Sequence, residues 1–195
     1  MDVAVVPRWE WRTFGESFPS VTAAVRAKAH DRAVTRETYI LSSASDANVK
    51  IRHGQLDIKR LQRVERGLEL WAPVLKAVFP VPASVMSSVF GHWAIAPPPL
   101  TRAEYTLDHL LGEMVPAAAQ LLAVEVAKER NRATVEGCAV EVATLQVRGR
   151  TVQTVAVEMK DPDQVLRAVR ALGLSDRENV NYVTALKQMV KVQAP

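Results

Sequence analysis

Residues 48–61 constrain the fold more than any other stretch. Two short runs alternate between polar and apolar residues on either side of His53-Gly54, a pair suited to a two-residue hairpin turn. With that pair as the loop, Arg52 stands opposite Gln55 and Lys50 opposite Asp57. Lys50, Arg52, Gln55, Asp57 and Lys59 then share one face, and Val49, Ile51, Leu56 and Ile58 share the other. The apolar face must be covered. The ionic face either meets water or lines an interior.

The same alternation recurs along the chain. From Pro7 to Phe14, Arg8, Glu10 and Arg12 fall on one side of a strand, with Trp9 and Trp11 on the other. Glu37 to Leu41 reads as a strand, and the segment from Gly67 through Val78 as a short strand or helix stopped by Pro80 and Pro82. After Pro116 come three valine-rich runs, Leu121 to Val135, Cys138 to Val147 and Thr151 to Lys160, parted by turns at Glu136-Gly137 and Arg148-Gly149-Arg150. Lys128, Arg130 and Arg132 share a face of the first run, and Thr154, Glu158 and Lys160 a face of the third.

Helical patterns cover 20–31 and 85–93, and Pro97-Pro98-Pro99 forms an extended connector. Thr101 and Glu104 have capping-box spacing, which predicts a helix through about Val115. Asp161-Pro162-Asp163-Gln164 predicts an N-capped helix ending at Gly173, and a last helix is expected over about Glu178 to Val192. Strands joined mostly by hairpins, with a few helices, make an α+β fold with an antiparallel sheet, not a doubly wound one.

The 195 residues fit a single domain, 1–195, and 48% hydrophobic with 24% charged residues excludes a disordered chain. No apolar run is long enough to span a membrane, and the N-terminus lacks a secretory pattern, so a cytoplasmic protein is expected. Cys138 is the one cysteine and reads as a buried, inert thiol; His30, His53, His92 and His109 have no metal-ligand spacing. Phosphate-binding glycine loops, zinc-protease and hydrolase-elbow motifs are absent. With 25 Lys and Arg against 21 Asp and Glu, an anionic partner is expected.

If the strands belong to one closed or cupped sheet, Arg12, Lys50, Arg52, Lys59, Lys128 and Arg130 converge on one volume. Their repulsion would be relieved by a multiply charged anion such as a polyphosphate. Glu10 and Glu158 would then join phosphate oxygens in holding Mg²⁺ or Mn²⁺. Nucleic acid is the less suited partner, because aromatics total 6% and Trp9 and Trp11 fall on the apolar face.

In order along the chain, Arg8-Trp9-Glu10-Trp11-Arg12, Val49-Lys50-Ile51-Arg52, Asp57-Ile58-Lys59, Lys128-Glu129-Arg130 and Val157-Glu158-Met159-Lys160 resemble the motif series of the CYTH, or triphosphate tunnel metalloenzyme, superfamily. The resemblance implies an antiparallel eight-stranded β-barrel flanked by helices, and a metal-dependent phosphohydrolase or phosphotransferase acting on a triphosphate or polyphosphate. Arg12, Arg52, Lys59, Lys128 and Arg130 would be phosphate ligands, with Lys50 beside them. Glu10 and Glu158 would be metal ligands, with Glu141 as a further acid, and Glu10, Glu158 and Lys59 would be the catalytic set. Arg8, Glu158 and Lys160 resemble the polyphosphate polymerase branch, with Arg8 and Lys160 as further phosphate ligands; the Ser-Lys-Tyr of that branch is here Val180-Asn181-Tyr182. Arg8 stands where the superfamily's opening motif carries its first metal-binding carboxylate, so polymerase-like chemistry and binding without turnover both remain open.

Overall fold

The structure, a computed structural model, describes residues 6–190. Ten strands occur among them: β1 (Arg8–Gly15), β2 (Asp31–Ser42), β3 (Asn48–Arg52), β4 (Gln55–Glu65), β5 (Leu68–Val78), β6 (Val81–Pro82), β7 (Glu104–Tyr105), β8 (Leu121–Val135), β9 (Cys138–Val147) and β10 (Arg150–Met159). Eight close into a barrel in the order β1-β10-β9-β8-β2-β3-β4-β5, and β6 pairs with β7 apart from it. Every ladder is antiparallel. The helices are α1 (Pro19–Ala27), α2 (Ala83–His92), a π-helical turn (His109–Met114) running into α3 (Val115–Ala117), α4 (Pro162–Ala171) and α5 (Tyr182–Val190).

Four hairpins set the barrel's register. Their loops are His53-Gly54, Arg66-Gly67, Glu136-Gly137 and Arg148-Gly149, each with φ positive at both residues. That is the type I′ signature, whose twist matches the flanking strands. Glycine relieves the strain at the second position of each. The first turn pairs Arg52 with Gln55, Lys50 with Asp57 and Asn48 with Lys59, the register the sequence spacing predicts.

Helices cover the barrel's apolar outer faces. α1 and α4 pack with Trp9, Trp11, Val140, Val142, Val155 and Val157 from β1, β9 and β10. α2 and the helical turn around Leu110 pack on Ile40, Val49, Ile51, Leu56 and Ile58 from β2, β3 and β4. Strand side chains alternate, so this outer cover turns the opposite, ionic faces inward. The ionic face of the β3–β4 hairpin therefore lines an interior rather than meeting water.

The boundaries differ from the sequence reading in three places. Glu104 and Tyr105 form β7 against Val81 and Pro82, so Thr101 caps nothing. The helix there is capped later, where the Thr106 N–H donates to His109 Nδ1 and the His109 N–H to Thr106 Oγ1. α1 ends at Ala27, and β2 begins at Asp31. α5 begins at Tyr182 rather than near Glu178, because residues 179–181 spend their hydrogen bonds on the barrel wall; positions 191–192 of the expected helix lie outside the described residues. Gly67 to Val78 resolves as strand, because β4 needs a hairpin partner.

At α4 the expected cap is present: Asp161 accepts the Asp163 N–H at 2.8 Å, with Pro162 opening the helix. Asp161→Ala is expected to lower stability by about 1 kcal/mol in urea unfolding. An unchanged midpoint would show that the cap is not limiting.

Candidate functional site

The barrel interior has two zones. Its lower zone is apolar: Tyr39 and Leu41 of β2, Val124 and Val126 of β8, and Ala143, Leu145 and Val147 of β9 pack against Tyr182, Val183 and Leu186 of α5. Two residues further along the same strands the interior turns ionic. There Arg12, Lys50, Arg52, Lys59, Lys128, Arg130 and Arg132 face a cavity with Glu10, Glu37, Glu141 and Glu158. Seven cations stand against four carboxylates of the lining, and two further acids pair with them from beside it, Asp57 with Lys50 at 3.7 Å and Asp31 with Arg130 at 3.2 Å, which leaves a small excess of positive charge.

Burial ranks these cations by depth. The Lys128 side chain is 7% exposed and that of Arg12 9%, whereas that of Arg132 is 40% exposed. Arg12 and Lys128 therefore lie deepest, with Arg132 toward the mouth.

Glu141 is the hub. Its carboxylate lies 2.6 Å from Lys128 Nζ, 3.0 Å from Arg132 Nε, 3.8 Å from Arg130 Nη1 and 3.9 Å from Arg12 Nη1. Burial opposes its ionisation, but Lys128 and Arg12 outweigh burial and hold the carboxyl well below the usual carboxylate range. Glu37 accepts from Tyr39 Oη at 2.9 Å; burial opposes its ionisation too, and Lys128 and Lys50 overcome it. Glu10 accepts from Arg12 Nε at 2.9 Å and is also held low, by Arg12 and Lys59 against burial. Burial depresses the Lys128 ammonium despite Glu141, and that of Lys50 despite Glu37 and Asp57. Such lysines gain from a further anion.

Two buried donors of the lining have no partner among the described residues: Arg130 Nε and the Tyr182 hydroxyl. An unmet buried donor costs about 1–3 kcal/mol.

Of the residues singled out in the sequence, Glu10, Arg12, Lys50, Arg52, Lys59, Lys128, Arg130, Glu141 and Glu158 line this one cavity. Arg8 stands outside the lining, 3.5 Å from Glu158, and Lys160 is exposed just past the end of β10. Glu37, Tyr39, Asn48, Arg132 and Tyr182 complete the lining. Asn48 and Arg132 continue the alternation of Lys50 and Arg130 by one step. Tyr182 has no periodicity signal; its one pointer in the sequence is its place in Val180-Asn181-Tyr182, and the packing of α5 brings it in. Cys138 is fully buried in the outer core, where burial raises its thiol pKa.

Among the described residues, no three acidic, histidine or cysteine side chains gather as metal ligands. Glu141 does not fit that role, since its oxygens are taken by cations. Glu10 and Glu158 are direct partners across the β1–β10 ladder. Glu69 is Glu10's partner on β5, but its carboxylate is held by Trp71 Nε1 and Asn181 Nδ2, each at 2.9 Å. Two carboxylates fit a hard divalent ion that arrives with phosphate oxygens, not one caged by protein alone.

No protein-family profile matches the chain, and no curated protein matches it. Solved structures match its fold. One is a Bacillus halodurans protein proposed to be an adenylate cyclase, at 10% identity and TM-score 0.56, with 90% of this chain and 95% of that one covered. Another is a Hippeastrum protein proposed to be an adenylyl cyclase and described as having a dominant triphosphatase activity, at 11% identity and TM-score 0.53, with 93% and 96% covered. PH1012 of Pyrococcus horikoshii matches at 14% identity and TM-score 0.52, with 90% and 97% covered. Among the described residues no helix is long and apolar enough to cross a membrane. The chain thus shares, over nearly its whole length, the closed antiparallel barrel of these cyclase-like and triphosphatase proteins.

Proposed function

We propose that the barrel interior binds a triphosphate-class anion, either free or carried by an organic group, and that the protein acts on it as a metal-dependent phosphohydrolase or phosphotransferase. The observation that carries this reading is the excess of cations inside a closed barrel, two of whose buried donors lack partners. The dominant triphosphatase activity described for the Hippeastrum neighbour supports it.

In this reading Arg12, Lys128 and Arg130 take the deepest phosphate, and Lys50, Arg52 and Lys59 take the next. Lys59 has no carboxylate within 4.0 Å among the described residues, so its ammonium is free to follow a phosphoryl oxygen. Glu10 and Glu158 would hold Mg²⁺ or Mn²⁺, which when bound neutralises charge on the transferred phosphoryl group. A second reading, binding without turnover, is favoured by two observations: Arg8 faces Glu158 at 3.5 Å, and Glu141 is consumed by ion pairs.

The test is phosphate release from tripolyphosphate with Mg²⁺ or Mn²⁺, comparing the wild type with Glu158→Gln. Metal-dependent release reduced at least about 100-fold in the variant is expected for a metal-ligating carboxylate. Binding with no release in either protein would leave the second reading in place.

Bound anion should also hold Lys128 and Lys50 protonated. Their depressed free-state pKa values lie below the ordinary 10.5, so tripolyphosphate affinity should fall as pH rises through that depressed range. A flat affinity across the alkaline range would remove both lysines from the binding set.

A further inference from the structure

On the footing that the barrel interior is an anion site, we propose that Glu141 and Glu37 are its resident counter-anions. They stand in for the ligand while the cavity is empty, and an incoming anion must compete with them for the same cations. Their effect is to limit affinity, so that a bound anion can leave again.

The cavity holds two kinds of carboxylate. Glu10 and Glu158 are ladder partners, and the Glu158 side chain is 28% exposed. The side chains of Glu141 and Glu37 are only 8% and 1% exposed, and both lie among the cations of the lining. One oxygen of Glu141 faces the deep cations, with Lys128 Nζ at 2.6 Å and Arg12 Nη1 at 3.9 Å. The other faces Arg132 Nε at 3.0 Å and Arg130 Nη1 at 3.8 Å. Glu37 offers one oxygen to Arg52 Nη1 at 3.6 Å, and Tyr39 Oη donates to the other at 2.9 Å. A carboxylate presents two acceptor oxygens as a fork, much as one edge of a phosphate does, and arginine pairs with either.

Stability of the fold does not by itself call for these acids. A buried ion cluster contributes little compared with apolar packing of similar volume. The same strands do pack the interior with apolar side chains one step away: Tyr39 and Leu41 follow Glu37 on β2, Val126 precedes Lys128 on β8, and Ala143 follows Glu141 on β9. Acids are needed only where the buried cations are. Arg12 and Lys128 serve an anion, and Glu141 and Glu37 keep such cations partnered until one arrives.

The proposal fixes the sign of an effect. Neutralising a carboxylate that only supports the structure loosens the cavity and weakens binding or leaves it unchanged. Neutralising a competitor tightens binding, because phosphate oxygens take over the cations it held. The experiment is calorimetric titration of the full chain with tripolyphosphate, with a chelator present so that no divalent metal takes part. Glu141→Gln is expected to bind at least about tenfold more tightly than the wild type, and Glu37→Gln about three- to tenfold more tightly, since a charge repelling the ligand has been removed. Glu113→Gln, which neutralises an exposed partner of Arg102 at 2.7 Å, should stay within about twofold. Should Glu141→Gln fail to fold without ligand, Glu37→Gln decides, because the glutamine oxygen can still accept from Tyr39. Unchanged or weaker binding in either folded variant, with tripolyphosphate still bound by the wild type, would overturn the competition and leave the anion site standing. No binding by the wild type or by either variant would overturn both.

Discussion

Glu141→Gln is expected to destabilise the fold by about 3–5 kcal/mol, the cost of leaving buried charge without its partner. The carboxylate is the shared counter-ion of Lys128, Arg12, Arg130 and Arg132, and the first two are nearly inaccessible to water. Glutamine keeps the shape and removes the charge. Urea unfolding at neutral pH measures the loss, and a change below about 1 kcal/mol would mean that water or another acid compensates.

The pH dependence follows from the same contacts. The folded-state pKa of Glu141 is depressed, so its contribution is fully present above the ordinary value of 4.5 and is lost as pH falls through the lower folded value. Wild-type stability should therefore fall with acid more steeply than that of the variant. Tripolyphosphate, by supplying replacement negative charge, should restore the variant's melting temperature by more than it raises the wild type's.

Lys128→Met should weaken tripolyphosphate binding by about 10- to 100-fold, the equivalent of one charge-assisted hydrogen bond of about 1.5–3 kcal/mol. Methionine conserves the stem's volume, and Glu141 keeps Arg132 at 3.0 Å, so folding should survive. Arg66→Ala is the matched control. That residue pairs with Asp163 at 2.8 Å on the outer surface and should leave affinity within about twofold. Equal losses in both variants would mean that the anion responds to overall charge rather than to the barrel interior.

The barrel was legible wherever local geometry decided it. His53-Gly54, Glu136-Gly137 and Arg148-Gly149 mark their own turns, and strict alternation carries Lys50, Arg52, Lys128 and Arg130 onto one face with Glu10 and Arg12. Whether that face looks inward is not a local property. It follows from α1, α2 and α4 covering the apolar side, which the sequence shows only as unplaced amphipathic segments.

The misreadings share one cause. Thr101 and Glu104 have the spacing of a cap, yet Glu104 and Tyr105 are drawn into a two-stranded ladder with Val81 and Pro82 by a tertiary contact. Lys160 continues the alternation of Glu158, but β10 has ended and the side chain points to solvent. Glu37 and Tyr39 alternate on β2 as the others do. Tyr39 belongs both to the apolar cluster with α5 and to the cavity lining. Tyr182 could not be found by periodicity, since its place depends on Asn179 and Val180 docking beside Arg12, more than 160 residues away in sequence.

The most direct test of the central claim is a crystal structure of the protein with tripolyphosphate and a divalent metal. The account predicts phosphate density inside the barrel, within hydrogen-bond distance of Lys128 and Arg130. Phosphate bound only on the outer surface, with the barrel interior empty, would contradict it.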